Sequence, residues 1–403
     1  MVRAHSLLYA VYVCLIVAIL CGALLYIATL YTSLNQFYNS REDLYLENNS
    51  ALNYLLTIKE PVTDLVNEQT GIRSDYEIKP HGLLKVALVK SSLKNDTVSS
   101  GHFIGHYASK QMAVFLSGFS NPLSYSGNVV LIGDKKLPTL TLVQKSINNV
   151  PNKLTASGKI QLSERILPEI NPDLKKQFEE EGTPGILLKD LEKQKDSVYF
   201  NSFLNKTVKV QLVSPSLQKV IMKGNFIIYA KDSIVIDKDN ILEDVVIKAP
   251  VIRIKKGFKG NFQAFATKKI EVEEEVTLSY PSVLCIYNDS KQESRLRIGN
   301  QCSVYGAVIC FGSPIQNIDA NEIIFSENTR IIGDVYCTGK LMLKGKVFGS
   351  VYTNRFFSKT ISGNYENCII DAVIDVTKRP AYFISVPLFK NSNEIYGVSK
   401  KVL

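Results

Sequence analysis

Residues 331–351 read Ile-Ile-Gly-Asp-Val-Tyr-Cys-Thr-Gly-Lys-Leu-Met-Leu-Lys-Gly-Lys-Val-Phe-Gly-Ser-Val. Two phrases in this stretch, Gly333-Asp334-Val335 and Gly349-Ser350-Val351, set a turn glycine, a free position and an apolar strand opener in the same order. The phrase recurs upstream as Gly224-Asn225-Phe226, Gly260-Asn261-Phe262 and Gly306-Ala307-Val308. A degenerate copy, Glu243-Asp244-Val245, and Pro281-Ser282-Val283 fill the two long gaps, leaving a period of roughly 16 to 27 residues. Strand, turn and strand repeated in fixed order at that period is what a solenoid requires, because each coil must return to the same place before climbing one strand spacing. Runs at 234–236, 251–254, 270–272 and 341–343 supply a second apolar face. An antiparallel sandwich also spaces its strands closely, but it needs no self-similarity. The spacing predicts a single-stranded parallel β-solenoid of about seven coils over residues 206–357, with Gly224, Gly260, Gly306, Gly333 and Gly349 at the repeated turns.

Three coils share a second phrase, Val283-Leu284-Cys285, Val308-Ile309-Cys310 and Val335-Tyr336-Cys337, and Val351-Tyr352-Thr353 replaces the thiol with a hydroxyl. Residues two apart in a strand face the same side. Cys285, Cys310 and Cys337 are therefore expected to stack as one column of buried thiols, acting as small apolar fillers. Cys302 and Cys368 bring the count outside the apolar helix to an odd number, so no complete disulfide framework follows.

Upstream, residues 166–205 read as a helical connector, in which Asn171 caps, Pro172 opens and Gly182 closes one short helix. Runs at 86–89, 103–107, 112–116 and 129–132, parted by Ser99-Ser100-Gly101 and Ser126-Gly127-Asn128, predict a small β-rich domain over 75–165. Residues 358–403 are a tail without the repeat.

The amino-terminal region, residues 1–60, has a different character. Residues 7–31 are uncharged and apolar, and as a helix of about 37 Å they are long enough to cross a hydrocarbon core. A cleaved signal has a shorter apolar core of about 7 to 15 residues and a small-residue cleavage site. Tyr9, Tyr12, Tyr26 and Tyr31 suit the two interfaces. Ala10, Cys14, Ala18 and Gly22 fall every fourth residue and line small side chains along one face, a surface for close helix packing. Leu34, Tyr38, Tyr45, Leu52, Leu55 and Leu56 then recur at helical spacings, which predicts an amphipathic stalk ended by Pro61. Arg3 and the free amine before the span, against Arg41 beside Glu42 and Asp43 after it, place the amino terminus in the cytoplasm and the bulk outside the cytoplasmic membrane.

A formal charge of +9 is scattered over the chain, which speaks against nucleic-acid binding. Lys255, Lys256, Lys259, Lys268 and Lys269 are candidate contacts to a glycan, or simply solvated charges. His102 and His106 lie in a glycine-flanked loop or strand, where their spacing does not converge on a metal. Glu273, Glu274 and Glu275 read as a solvated turn rather than the acidic face of a glycan-processing enzyme. No cofactor, metal site or catalytic residue is expected.

Two family resemblances attach to these residues. The phrases 331–335 and 344–351 resemble the Gly-x-Val/Ile repeats of bactofilins, polymer-forming bacterial β-solenoids, over residues 224–357. The amino terminus is similar in layout to type IV pilins and pseudopilins, which implies a component of an envelope apparatus. The combination also resembles membrane-anchored proteins of Bacteroidota carrying phrases such as Ser124-Tyr125-Ser126-Gly127-Asn128 and Leu167-Pro168-Glu169-Ile170. The expectation is a mainly β, single-pass structural or assembly protein. Its partners are the membrane, other proteins or further copies of itself reached through the helix or the solenoid, with a glycan as the alternative ligand.

Overall fold

The computed structural model describes residues 3–58, 62–107, 112–119, 121–147, 151–179, 185–191, 198–313, 316, 318–381, 383–389 and 396–402. Within them the chain is mainly β, with one long amino-terminal helix and a large parallel sheet. It divides into two units, residues 1–77 with 89–100, and residues 78–88 with 101–403.

The first unit is built on α1, Arg3–Ile58, a single helix of 56 residues. No proline interrupts it, so the apolar run and its amphipathic extension share one continuous backbone; the expected stop, Pro61, lies outside the described residues. From residue 44 onward one face is covered. Leu44, Ala51, Leu52 and Leu55 are buried at helical spacing, and Leu44 packs with Ile72 and Val98. Leu34, Tyr38 and Tyr45, on the same predicted stripe, stay exposed. Asn48 sits inside the buried face. Its Nδ2 lies 3.3 Å from the carbonyls of Val89 and Val98 and from Ser91 Oγ, and its Oδ1 accepts from the Ser100 hydroxyl. A polar side chain so buried is tolerated because every one of its groups is bonded.

The second unit carries 25 strands in one sheet. Strands one repeat apart pair in parallel. Ser233–Ile236, Val251–Ile254, Lys269–Val272, Ser294–Ile298 and Asn321–Phe325 follow one another in register. A parallel register puts equivalent positions above each other at the strand spacing of about 4.8 Å. Ile234, Ile252, Ile270, Leu296, Ile323, Leu341 and Phe356 consequently form one buried column. Burial stabilises each of them by about 1.5–3 kcal/mol. The alternate residues point out and pair by charge, with Arg253 on Glu271 at 3.0 Å and Arg295 on Glu322 at 2.7 Å.

The repeated glycines are explained by the closeness of successive strands. At Gly306 (φ +150°) a Cβ would fall on the carbonyl oxygen of Ser282, and at Gly333 (φ +138°) on that of Gly306. Only a residue without Cβ fits both the conformation and the contact. A Cβ on Gly349 would meet Gly333 in the same way, while those on Gly224 and Gly260 would meet the carbonyls of Asn201 and Leu242.

Three features depart from expectation. First, most strands between residues 112 and 162 join the large sheet rather than a unit of their own, while Ser124–Ser126 and Val143–Gln144 form a separate three-stranded sheet with Cys368–Ile370. Met112–Leu116 pairs in parallel with Val351–Thr360, Asn128–Ile132 with Val373–Asp375, and Lys153–Ser157 with Asn128–Ile132. Second, the tail is not free of the repeat, since Val373–Asp375 pairs with Lys346–Phe348. At its start the end of Val351–Thr360 and Gly363–Glu366 make an antiparallel hairpin. Third, the thiols do not form one column. Cys310, Cys337 and Thr353 are in register, but Cys285 pairs with Ile309 and Leu284 with Val308. That offset of one residue turns Cys285 to the opposite face of the strand, into a different cluster with Ile309 and Tyr336. All three thiols are buried and free, and burial raises the pKa of each.

The connector is shorter in helix than its span suggested. It contains α2, Asp173–Glu179, whose first residue donates its backbone N–H to Asn171 Oδ1 at 3.1 Å, while Gly182 lies outside the described residues.

Candidate functional site

Within the second unit, the middle position of the repeated phrase, apart from Ala307, is where polar side chains from other segments converge. Asn225, Asp244, Asn261, Asp334 and Ser350 occupy it and are buried or nearly so. Two of these are acids, and each receives a cation from the carboxy-terminal segment. Lys400 Nζ lies 2.7 Å and 2.8 Å from the two carboxylate oxygens of Asp244 and 3.1 Å from Glu243 Oε1. Arg379 donates through Nη2 to Asp334 Oδ1 and through Nη1 to Ser385 Oγ at 3.0 Å.

His81 and Gln263 add a second set of ties at the same place. The His81 ring donates from Nε2 to the Asp244 carbonyl at 2.8 Å, which sets the neutral tautomer. Gln263 answers with both ends of its amide, accepting from the Leu83 N–H at 2.8 Å and donating to the His81 carbonyl at 2.7 Å. Burial pushes His81 down to about 4. Burial also raises Asp244, and Lys400 and Asn261 offset only part of that rise. At Glu243 the balance reverses: burial raises it, but Lys400 and Lys223 together hold it below its ordinary value. Perturbed groups gather at catalytic centres and at structural ion pairs alike. Here the bonds made by Lys400, by the two Nη groups of Arg379, by His81 and by Gln263 all run to other parts of the chain, so the arrangement works as a clasp for the tail.

Glu243-Asp244-Val245 counted as a degenerate copy, yet Asp244 (φ +60°) is an inserted residue of a bulge, because Glu243 pairs with Asn261 and Val245 with Phe262. The signal in the sequence was an acid in two copies, Asp244 and Asp334, at the phrase position where the rest carry Asn, Ser or Ala.

The remaining predicted residues are dispersed. Ala10, Cys14, Ala18 and Gly22 lie exposed on α1. Lys255 pairs with Glu273 at 3.0 Å, Lys256 with Glu274 at 3.2 Å and Glu275 at 3.0 Å, and Lys269 with Glu271 at 2.9 Å, so three of the five candidate glycan contacts are engaged by carboxylates. The turn at 273–275 is an ion-pair network, each pair worth about 0–1 kcal/mol. His102 and His106 lie in the strand Asp96–His106, opposite Lys401 and Tyr396. Among the described residues no group of three His, Cys, Asp or Glu side chains converges as metal ligands. One cleft has an apolar floor with aromatic sides: Phe178, Tyr229 and Phe265 with Ile227 and Pro250, rimmed by Lys209 and Lys248.

Comparison with protein-family models, curated proteins and solved structures finds no match to this chain.

Proposed function

We propose that the chain is a membrane-anchored structural or assembly protein. In this reading α1 crosses the cytoplasmic membrane once through residues 7–31 with its amino terminus inside, and the second unit is a parallel β-solenoid presented outside the cytoplasm to protein or envelope partners. One observation carries the anchor: large apolar side chains along that stretch are open all round the helix, Leu7 at 72%, Ile19 at 63% and Leu25 at 69% exposure, and none of the most apolar window is buried within the chain. A helix that is apolar on every face and covered by nothing of its own requires an apolar surrounding. In-register parallel pairing of strands one repeat apart supports the solenoid, and the clasped tail supports a rigid body suited to presentation rather than turnover.

Membrane fractionation and protease treatment of intact spheroplasts test this reading. The full chain should stay in the membrane through an alkaline carbonate wash, and protease added outside should remove the carboxy-terminal body. Release of the chain by carbonate ends the anchor reading. Retention with a fully protected body instead reverses the topology and places the scaffold inside the cell.

A further inference from the structure

The uncharged part of α1 is longer than a membrane core needs. Residues 4–40 contain no Asp, Glu, Lys or Arg, the flanking charges being Arg3 and Arg41. At about 1.5 Å per residue this stretch makes roughly 55 Å of helix. A hydrocarbon core takes up about 30 Å and a whole bilayer with its headgroups about 40–45 Å. The first side chain of the helix that its own unit buries is Leu44, only three residues beyond Arg41. Between the span and that point the helix is uncovered, with Leu30, Leu34, Phe37 and Tyr38 exposed at 51, 49, 43 and 60%. These four fall on one face at helical spacing. The opposite face carries Thr32, Gln36 and Asn39, with Ser33 and Ser40 along one border, all polar but neutral.

We propose that residues 32–40 lie in the lipid headgroup layer, with Leu34, Phe37 and Tyr38 turned to the acyl boundary and Gln36 and Asn39 to water. No free stalk then separates the bilayer from the strands that cover residues 44–55. This rests on the anchor reading above and adds to it. Three features favour lipid as the occupant. The apolar face continues a spanning segment without a break in the helix. Its aromatic rings suit the interface, where one side of a ring is apolar and the other wet. A helix pair in water would flank its seam with charged residues, and this stretch has none. A hydrophobic helix longer than the core leans to stay within it, and leaning toward the Leu30, Leu34, Phe37 and Tyr38 face brings those side chains down onto the acyl chains.

The test uses the full chain in phosphatidylcholine and phosphatidylglycerol vesicles, with Cys14→Ser and Cys21→Ser removing the exposed thiols. A single environment-sensitive fluorophore is placed in turn through Val17→Cys, Leu34→Cys, Gln36→Cys, Tyr38→Cys, Asn39→Cys and Asn49→Cys. Quenching by aqueous iodide is compared with quenching by spin-labelled lipid. The expected result is lipid quenching at 17, 34 and 38, with iodide quenching at 36, 39 and 49. Iodide quenching at 34 and 38 equal to that at 36 and 39, with 17 still quenched by lipid, overturns the proposal and leaves a free stalk on an intact anchor. Silence of 34 and 38 to both quenchers also overturns it, because protein, a second copy included, then covers that face. Loss of lipid quenching at 17 shows instead that the anchor reading itself has failed.

Discussion

His81 is the residue at which burial is converted most directly into a pH dependence. Its ring is enclosed by the second unit, stacks edge-on against Phe203 at 4.9 Å and gives its one proton to the Asp244 carbonyl. Charging it there would leave an imidazolium without a solvent shell, and so its pKa falls to about 4. Between about 6.5, the ordinary value, and 4 the unfolded chain binds a proton that the folded chain refuses. Stability is therefore fully present above pH 6.5 and is lost as pH falls through this window, by about 3 kcal/mol in all. Asp244 acts in the opposite sense. Its folded pKa is raised, so the folded state holds its proton more tightly and stability falls as pH rises above the ordinary carboxylate value. His81→Gln keeps an amide donor for the carbonyl and removes the titration. Urea unfolding at pH 7 and pH 4 should show the parent losing about 3 kcal/mol more than the variant, and equal losses would mean that the ring titrates as though in water.

At the scale of elements, Asn48 fixes how α1 meets its strands, and it marks where sequence reading stopped. The apolar stripe of the helix was legible from spacing, and Leu52 and Leu55 are buried as that spacing implies. The polar residue four positions from both Leu44 and Leu52 was not read, because periodicity scores apolar residues only. Asn48→Ala leaves the buried Ser100 hydroxyl without its Asn48 acceptor, while Ser91 keeps its bond to Ser74, at a cost of about 1–3 kcal/mol. Hydrogen exchange should then speed up in residues 89–100 and leave the strand Val251–Ile254 unchanged. Uniform acceleration of both would show the two units unfolding as one. The repeat was legible for a similar reason: a glycine required by a neighbouring carbonyl recurs wherever that carbonyl does. The thiol column was legible only in part. Matching the letters Val-x-Cys aligns Cys285 with Cys310, whereas the backbone aligns Ser282 with Gly306 and so Ile286 with Cys310. A phrase shifted by one residue reads identically in sequence and faces the other way in a strand. At the seam the acids Asp244 and Asp334 were visible in the repeated phrase, but their partners Lys400 and Arg379 were not, because they lie far along the chain.

At the scale of the whole molecule, the parallel sheet is assembled out of sequence order. Strands from residue 198 to residue 375 succeed one another, and the next places are taken by Asn128–Ile132 and Lys153–Ser157, from much earlier in the chain. A recurring phrase marks strands as equivalent without saying which is neighbour to which, and for that reason residues 75–165 read as a separate domain. Pairing Val130 with Val373 closes a loop of well over two hundred residues. Contacts of that range make folding slow, because loop-closure entropy is lost before the contact repays it. Val130 and Val373 are both half-exposed, opposite each other in register, and on strands whose spacing is about 4.8 Å. A chain carrying Val130→Cys and Val373→Cys should therefore be joined by a short bismaleimide into a closed loop that runs anomalously on a denaturing gel while keeping the mass of one chain. Shifting one partner to Lys378→Cys, exposed and outside that register, should abolish the product. Crosslinks that appear only between two chains would show that residues 112–162 complete the sheet of a neighbouring copy, and failure of both would return them to a domain of their own.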